Sequence, residues 1–214
     1  MIVVVAVQGT WAWRSPWWKD GSPLWTYLDS YGIQPARIGG LPFRWSTDLA
    51  DSWKWWQKRH SDWEAGGDAL AYYLDALPER ERVVLAHSHG GQVALHCAAV
   101  GVKIDRLVTV ATPSRADMSG VTSRARPNIR QWWHVYDLDR DKTAWWGGFG
   151  DGRIGNPREQ PDADVTVKMR GIGHSKLLNN PDLFDYWADA GLVAMMKGDY
   201  RVEEARPVAP QGCD

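Results

Sequence analysis

Apolar residues along this chain cluster into short runs that have the length and pattern of β-strands. Residues 2–7 form a continuous apolar run, which is typical of a buried strand, whereas residues 165–169 alternate apolar and polar side chains like a half-exposed strand. Residues 106–111 are apolar and β-branched, and residues 128–136 include Trp132, Trp133 and Val135. With an apolar run at 83–85 and a short segment at 36–38, the pattern predicts six strands.

Helix signals fill the intervals between these strands. Ser22-Pro23 has a capping residue followed by a residue suited to the first helical position. Ser61-x-x-Glu64 has the form of a capping box, and a face of leucines follows it until Pro78. Four helices are therefore predicted, over residues 23–31, 61–77, 92–100 and 180–196. Strands that alternate with helices predict an α/β fold, in which a mostly parallel central sheet carries helices on both faces.

The length of 214 residues is most simply one domain, because a chain of this size can bury a substantial core. We expect a single α/β domain over residues 1–201. Within it, residues 39–60 are irregular and then rich in Trp and Lys, which indicates a cap or an insertion. The polar, proline-containing segment 202–214 is expected to be a loose tail.

Charge and cysteine content argue against several classes of protein. The formal net charge of −1 gives no footprint for nucleic acid, and two cysteines do not make a disulfide framework. The apolar start has no basic leader and no small-residue cleavage site, so we do not expect a signal peptide. No stretch approaches the length of a transmembrane helix. A cytoplasmic location is the default expectation, and release on cell lysis is the alternative.

The segment Ala86-His87-Ser88-His89-Gly90 joins the strand at 83–85 to the helix at 92–100. A serine with small residues two before and two after it, on a strand-to-helix turn, forms a nucleophile elbow that lifts the hydroxyl above the sheet. Two alternatives compete with this interpretation. Ser88 could only cap the helix, or His87 and His89 could be a metal pair. Because no further ligand accompanies that pair, no metal site is predicted.

A serine nucleophile needs a histidine to accept its proton and a carboxylate to orient that histidine. Of the six histidines, His174 is best placed, because it lies in a glycine-flanked loop after the last strand, beyond the carboxyl ends of the sheet. The acid is expected in the loop after the strand at 128–136. Asp141 ranks slightly above Asp139, Asp137 can simply begin the turn, and Asp117 is a distant fourth.

Two backbone amides would complete an oxyanion hole. The amide of His89 opens the helix after the serine, and the second is expected from the loop after the first strand, at Thr10 or Trp11. This chemistry requires no metal and no organic cofactor.

Tryptophan is the compositional outlier, with 15 residues against 3 phenylalanines. The indole combines a large apolar body with one polar group, which suits cores, carbohydrate stacking and lipid interfaces. One set recurs at helical spacing and is expected to be core or lid: Trp53, Trp56, His60 and Trp63. A second set follows the first strand and is expected to form a substrate wall beside the serine: Trp11, Trp13, Trp17 and Trp18.

Over about residues 2–187 the chain resembles α/β-hydrolases of the lipase and esterase type. Ala86–Gly91 is similar to the family's nucleophile motif, with alanine where glycine is commoner, and Gly171–Ser175 with Leu177-Leu178 is similar to its histidine loop. Val7–Thr10 resembles the oxyanion loop, with Gln8 in place of the usual histidine. Phe43–Ser46 is similar to a segment that precedes the helix before the elbow, and Thr109–Pro113 resembles the end of the strand that follows it. Asp141 with Gly147-Gly148 is similar to the family's acid loop, although Asp139 lies closer to the usual distance from the strand. The resemblance implies a compact form of the α/β-hydrolase fold, near small lipases and cutinase-like esterases.

The residue pattern and the resemblance together predict a serine hydrolase of carboxylic esters, acting through a Ser-His-Asp triad and an acyl-enzyme. The tryptophan-rich loops favour an acyl chain or a glycolipid over a small charged substrate. An acyltransferase or thioesterase would use the same triad. A non-catalytic module that binds carbohydrate or lipid on the same fold is a further alternative.

Overall fold

The computed structural model describes residues 2–9, 16–45, 61–78, 81–115, 118–137, 159–174 and 176–199. Its strands are β1 (Ile2–Val7), β2 (Ile33–Pro35), β3 (Val83–His87), β4 (Ile104–Val110), β5 (Ile129–Asp137) and β6 (Val165–Met169). Within the described residues these form one parallel sheet in the order β2-β1-β3-β4-β5-β6. Because the strands are parallel, their carboxyl ends meet at one edge of the sheet.

Helices cover both faces of this sheet. They are α1 (Pro23–Asp29), α2 (Ser61–Ala76), α3 (His89–Ala99), α4 (Ser119–Ala125), α5 (Phe184–Asp189) and α6 (Leu192–Lys197). Along β1 and β3, alternate residues enter one of two buried clusters. Val4, Ala6 and Leu85 pack with α1, α5 and α6, whereas Val5, Val7 and Val84 pack with α2, α3 and α4. The predicted α/β fold with helices on both faces is confirmed.

Strand β3 lies near the middle of the sheet, between β1 and β4. All five of its residues are buried, which explains why its sequence is apolar without alternation until His87. Its register pairs His87 with Val110 of β4. The turn that follows β3 is therefore surrounded by the loops that follow its neighbouring strands.

The strand predicted at 36–38 is wrong by three residues. The structure instead pairs Ile33 with Ile2 directly after Gly32, whose φ of 72° lets the chain reverse out of α1. The strand ends at Pro35, which β2 tolerates because it lies at the edge of the sheet. Ile38 belongs to an isolated bridge with Leu41.

The helix predicted over 180–196 is divided. Asn180 caps a short 3-10 turn, as its side chain accepts a hydrogen bond from Asp182 N, and α5 follows. Gly191, with φ 84°, then separates α5 from α6. Helix α4 has no counterpart among the predicted elements. No helix within the described residues combines the length and apolarity needed to cross a bilayer, and the expected tail lies outside them.

Candidate active site

Ser88 occupies a strained turn between β3 and α3. Its backbone has φ 54° and ψ −126°, and among the described non-glycine residues only Ala111 shares a positive φ. The Ser88 amide donates a hydrogen bond to the carbonyl of Val110 at 2.8 Å, which ties the turn to the end of β4. Such a conformation costs about 1–3 kcal/mol and persists only where the surroundings enforce it.

Ser22, which precedes α1, shows how a capping serine looks in this chain. It has φ −63° and ψ 154°, and its hydroxyl accepts a hydrogen bond from Trp25 N at 3.4 Å. Ser88 stands at the same position before α3, yet its side chain makes no capping bond. The structure therefore does not support the alternative in which Ser88 only caps a helix.

Close packing of glycines brings the loop after β1 against the elbow. A Cβ built on Gly9 would lie 2.8 Å from Ser88 Cβ, and one built on Gly90 would lie 2.3 Å from the carbonyl oxygen of Val7. Only glycine permits these approaches. The loop after β1 thus begins directly beside the serine, where an oxyanion loop is expected. Thr10 and Trp11, whose amides are the predicted donors, lie outside the described residues.

His89 is the first residue of α3 and packs on Trp45, with 5.5 Å between the ring centroids. Trp45 Nε1 in turn donates a hydrogen bond to the carbonyl of Gln8 at 2.7 Å. Trp45 therefore links the start of the helix to the loop after β1. Burial, with a smaller contribution from the charge of Arg115, lowers the pKa of His89 to about 4, so its ring is neutral at pH 7. The role of the His89 amide in an oxyanion hole stays a prediction.

His174 is brought to the elbow by the loop after β6. It is buried, and its ring centroid lies 4.8 Å from that of His87, the residue before Ser88. His87 Nε2 lies 3.1 Å from the carbonyl oxygen of His174. A carbonyl oxygen only accepts, so His87 Nε2 carries the proton in this contact. His174 thus approaches the elbow through its contact with His87.

Of the candidate acids, Asp137 alone lies among the described residues; Asp117, Asp139 and Asp141 lie outside them. Asp137 is the last residue of β5 and is fully buried. Its Oδ2 atom accepts hydrogen bonds from the amides of Ile172 and Gly173, the second at 2.8 Å. Asp137 therefore bonds to the histidine loop itself. The choice of Asp141 or Asp139 as the triad acid stays a prediction.

Two members of the expected substrate wall can be located. Trp17 and Trp18 form part of a short 3-10 helix and are 1% and 6% exposed, within the same buried cluster as α1. The rings of Trp17 and His87 form a T-shaped pair with 6.1 Å between their centroids, and the guanidinium of Arg44 lies 5.1 Å from the centroid of the Trp18 ring. Trp11 and Trp13 lie outside the described residues, and contact of all four with substrate stays a prediction.

The other histidines in the described residues have structural surroundings. His134 is fully buried in β5, stacks on Tyr136 and bonds Thr109 Oγ1 at 2.8 Å. His96 pairs with Asp68 and packs against Trp63, one of the residues expected in the core. Trp53, Trp56 and His60 lie outside the described part of the chain.

A metal site was the second alternative for the elbow. Within the described ranges, no group of three His, Cys, Asp or Glu side chains is placed to hold a metal ion. His87 packs on His174 and Trp17, whereas His89 packs on Trp45. The two rings therefore contact different parts of the molecule.

Sequence reasoning missed three parts of this arrangement: the contact of His87 with the histidine loop, that of Asp137 with the same loop, and the link through Trp45. Alternation along β3 places His87 on the same face of the strand as Val83 and Leu85, so the sequence itself indicates which side of the sheet His87 faces. Trp45 has no such signal, because its partner Gln8 is 37 residues away.

Comparison with known proteins supports the fold. No family model and no curated protein matches the sequence. Among solved structures, the chain is similar to a predicted CIB-like hydrolase from Thermoplasma acidophilum, with 14% identity and a TM-score of 0.55 over 90% of this chain and 86% of that one. It is also similar to the esterase domain from a Rhodothermus marinus protein, with 13% identity and a TM-score of 0.51 over 90% of this chain and 84% of that one. At these identities the likeness establishes the α/β-hydrolase fold.

Proposed function

We propose that this chain is a serine hydrolase that cleaves carboxylic esters. The observation that carries the proposal is the geometry of Ser88, a non-glycine residue at φ 54° on the turn between the central strand β3 and α3, with no capping bond. A strained serine at the carboxyl edge of a parallel sheet suits a nucleophile better than a cap. The approach of His174 to this turn, through His87, provides the second group that such chemistry needs.

In the proposed reaction the Ser88 hydroxyl attacks the acyl carbonyl while His174 takes its proton. The His89 amide, with that of Thr10 or Trp11, stabilises the oxyanion of the tetrahedral intermediate. His174 returns the proton to the leaving alcohol, which leaves an ester of Ser88. Water, deprotonated by His174, then releases the acid and regenerates the serine. Asp141 or Asp139 holds the imidazole in the orientation that these steps require.

An ester of an acyl chain or a glycolipid is the proposed substrate class. Its support is the concentration of tryptophan, 15 residues in 214, including Trp11, Trp13, Trp17 and Trp18, which follow β1 in the sequence. A series of 4-nitrophenyl esters from acetate to palmitate tests it. We expect kcat/KM to rise with acyl length, and a preference for acetate or for charged acyl groups would contradict this choice.

The nucleophile can be tested without knowing the substrate. Intact-mass spectrometry after exposure to a fluorophosphonate is expected to show one adduct on the native protein and none on Ser88→Ala or His174→Ala. Ser123→Ala is the matched control, because Ser123 is an exposed serine on α4 bonded to the carbonyl of Ser119. An adduct that persists in folded Ser88→Ala refutes the assignment. No adduct on the folded native protein favours a binding module.

A further inference from the structure

An open cleft lies between the segment that follows β2 and helix α2, and none of the residues that line it is a candidate catalytic residue. The volume of this α2 cleft is about 550 Å³, within the range of about 300–1,000 Å³ that is usual for small-molecule sites. Its lining is apolar or aromatic except for one cation: Ile38, Leu41, Pro42, Phe43, Ala69, Tyr72, Tyr73 and Arg44.

Two large apolar side chains of the α2 cleft are exposed to solvent. Leu41 is 69% exposed and Tyr72 is 80% exposed. Among the described residues, the other exposed large hydrophobic side chains are Tyr31 and Val100, and neither lines the cleft. A single exposed apolar side chain needs no explanation, but a group of them around one concave surface is typical of a binding site.

Hydrogen bonds fix the wall of the cleft that carries Leu41. The amide of Ile38 donates to the carbonyl of Leu41, and the amide of Leu41 to that of Ile38, each at 3.0 Å across a turn of two glycines with φ of 58° and 79°. The Tyr73 hydroxyl lies 3.2 Å from the carbonyl oxygen of Leu41, and its ring packs on Phe43. This wall therefore needs little ordering when a ligand binds, which favours affinity.

Two cations lie over the same buried indole, and one of them lines the cleft. The guanidinium carbon of Arg44 is 5.1 Å from the centroid of the Trp18 ring, and Nζ of Lys19 is 5.6 Å from it. Trp18 is 6% exposed, so its ring is a fixed platform for both groups. A guanidinium that contacts a ring through its face keeps N–H groups available for an anion.

Neither Arg44 nor Lys19 pairs with a carboxylate within the part of the chain that the structure describes. By contrast, arginines elsewhere in that part do pair with carboxylates: Arg37, Arg82, Arg106 and Arg126. Two uncompensated positive charges beside one ring repel each other, and an anion placed next to them offsets that repulsion. The rim of the cleft is thus suited to an anionic group.

We propose that the α2 cleft binds an alkyl carboxylate. The alkyl chain lies along Leu41, Phe43 and Tyr72, and the carboxylate pairs with Arg44, whose planar fork of donors matches two carboxylate oxygens. Lys19 adds positive potential at the same rim. The ligand class follows from this combination, because an apolar cleft alone would not select an anion and two cations alone would not select a chain.

The cleft is close to the candidate active site along the chain. Arg44 directly precedes Trp45, which packs on His89. The ring of Trp45 also lies against α2, since a Cβ built on Gly66 would be 2.9 Å from it, and Ala69 of the cleft is one helical turn further on. Hydrolysis of an ester releases a carboxylic acid, so the proposed reaction would supply a ligand of this class near the cleft. Binding itself does not rest on that reaction.

Titration with octanoate, octan-1-ol and octylammonium separates the contribution of the chain from that of the charge. The three share a chain length and are anionic, neutral and cationic at pH 7. Below micelle-forming concentrations, we expect octanoate to bind at least about tenfold more tightly than octan-1-ol, because a hydrogen bond to a charged group contributes about that much. Octylammonium should bind most weakly. Amide shifts in nitrogen–proton correlation NMR spectra give the Kd and should be largest at residues 41–44 and 69–73.

Arg44→Gln removes the charge at the rim and keeps a donor. Its affinity for octanoate should fall by about tenfold and lose most of its dependence on salt, whereas its affinity for octan-1-ol should not change. Lys19→Gln should weaken octanoate binding by only about twofold to threefold, because Lys19 acts through the potential alone. Arg82→Gln is the matched control, because Arg82 pairs with Asp75 away from the cleft, and it should leave both affinities unchanged.

Tyr72→Ser tests the apolar part of the cleft. It should weaken octanoate and octan-1-ol alike, by about fivefold to tenfold, because both lose the same apolar contact. Val100→Ser is the control at another exposed apolar side chain, 53% exposed after α3, and should change neither affinity. All the substituted side chains except that of Arg82 are exposed, so the variants should fold, and urea unfolding checks this.

Ser88→Ala keeps the binding test apart from the test of catalysis. It should bind octanoate as tightly as the native protein does. If the native protein forms no fluorophosphonate adduct but binds octanoate at the cleft, the proposed function fails and the site stands. The proposal is overturned by equal affinities for octanoate and octan-1-ol, by unchanged octanoate affinity in folded Arg44→Gln, or by amide shifts that lie away from the cleft.

Discussion

The conformation of Ser88 makes a prediction about stability that is independent of catalysis. Its φ of 54° and ψ of −126° are accessible to glycine at little cost, and they cost other residues about 1–3 kcal/mol. Ser88→Gly should relieve this strain, whereas Ser88→Ala should not. Comparing the two variants with each other, and not with the native protein, removes the hydroxyl from both sides of the comparison.

The expected difference can be estimated from opposing terms. Relief of strain contributes about 2 kcal/mol, and the extra freedom of glycine in the unfolded chain subtracts about 0.4–1 kcal/mol. Loss of a half-buried Cβ subtracts a few tenths more, since a fully buried methylene is worth about 0.8 kcal/mol. We therefore expect Ser88→Gly to be more stable than Ser88→Ala by about 1 kcal/mol, or about 2–4 °C in Tm for a chain of this length.

Urea unfolding followed by tryptophan fluorescence measures this difference. Ser123 is the control, because it lies inside α4, where glycine should be less stable than alanine by about 1 kcal/mol. The two positions are thus expected to give differences of opposite sign. A Ser88→Gly variant that is less stable than Ser88→Ala by the same amount as at Ser123 would show that the turn is not strained.

Three further predictions concern the surroundings of the elbow. Gly90→Ala would place a Cβ 2.3 Å from the carbonyl oxygen of Val7, so we expect the free energy of unfolding in urea to fall by about 1–3 kcal/mol and fluorophosphonate labelling to become slower. Gly120→Ala is the control, because its Cβ would meet nothing closer than 3.7 Å, and it should neither lower the stability nor slow the labelling. Burial lowers the pKa of His89 to about 4 in the folded protein, against about 6.5 in the unfolded chain, so below pH 6.5 the unfolded chain binds a proton that the native state excludes. The free energy of unfolding should therefore fall by about 2–3 kcal/mol between pH 7 and 4.5. His89→Gln should lose this part of the pH dependence. Burial raises the pKa of the Cys97 thiol to about 12, so peptide mapping should find Cys97 alkylated by iodoacetamide in urea but not in the native protein.

The elements that sequence reasoning located best are those with a strong local signal. The strand-to-helix turn at Ser88 is predictable because a glycine-rich turn joins an apolar run to a helix, and α3 begins directly after Ser88. The loop at residues 171–174 is predictable because glycines flank His174 after an alternating strand. Each feature is contained within about ten residues, so no knowledge of distant contacts was needed.

Features that depend on competition between neighbours were located less well. Strand β2 begins at Ile33 and not at residue 36, because pairing with β1 starts as soon as the chain leaves Gly32. Helix α4 was missed because its sequence, Ser119 to Ala125, has little apolar periodicity and includes residues of low helix propensity. Propensity is a weak signal compared with the packing of Val121 and Ala125 against the sheet.

The acidic residue of the proposed triad is difficult to predict from the sequence for a different reason. Asp137, Asp139 and Asp141 follow one strand within five residues, so spacing along the chain cannot distinguish their roles. Only a three-dimensional contact separates them, and the contact of Asp137 with two loop amides is the kind that leaves no trace in sequence.

Polar side chains have different partners at the amino-terminal and carboxyl-terminal ends of the strands. At the amino-terminal end of the sheet, side chains near or just before the strand starts pair with each other: Arg106 with Glu81, Arg126 with Asp164, and Lys103 with Asn128. These contacts join polar partners and hold neighbouring strand starts together.

At the carboxyl edge, His87 and Asp137 instead bond to the backbone of the loop that carries His174. These bonds join the ends of β3 and β5 to one loop, and strand pairing does not require them. A purely structural account of the carboxyl edge would predict the same consequences for Asp137→Ala as for Asp164→Asn, namely lower stability with unchanged kcat. A catalytic account predicts that only the first substitution lowers kcat. Measuring kcat and the free energy of unfolding for both variants therefore decides whether Asp137 only stabilises the fold or also supports catalysis by His174.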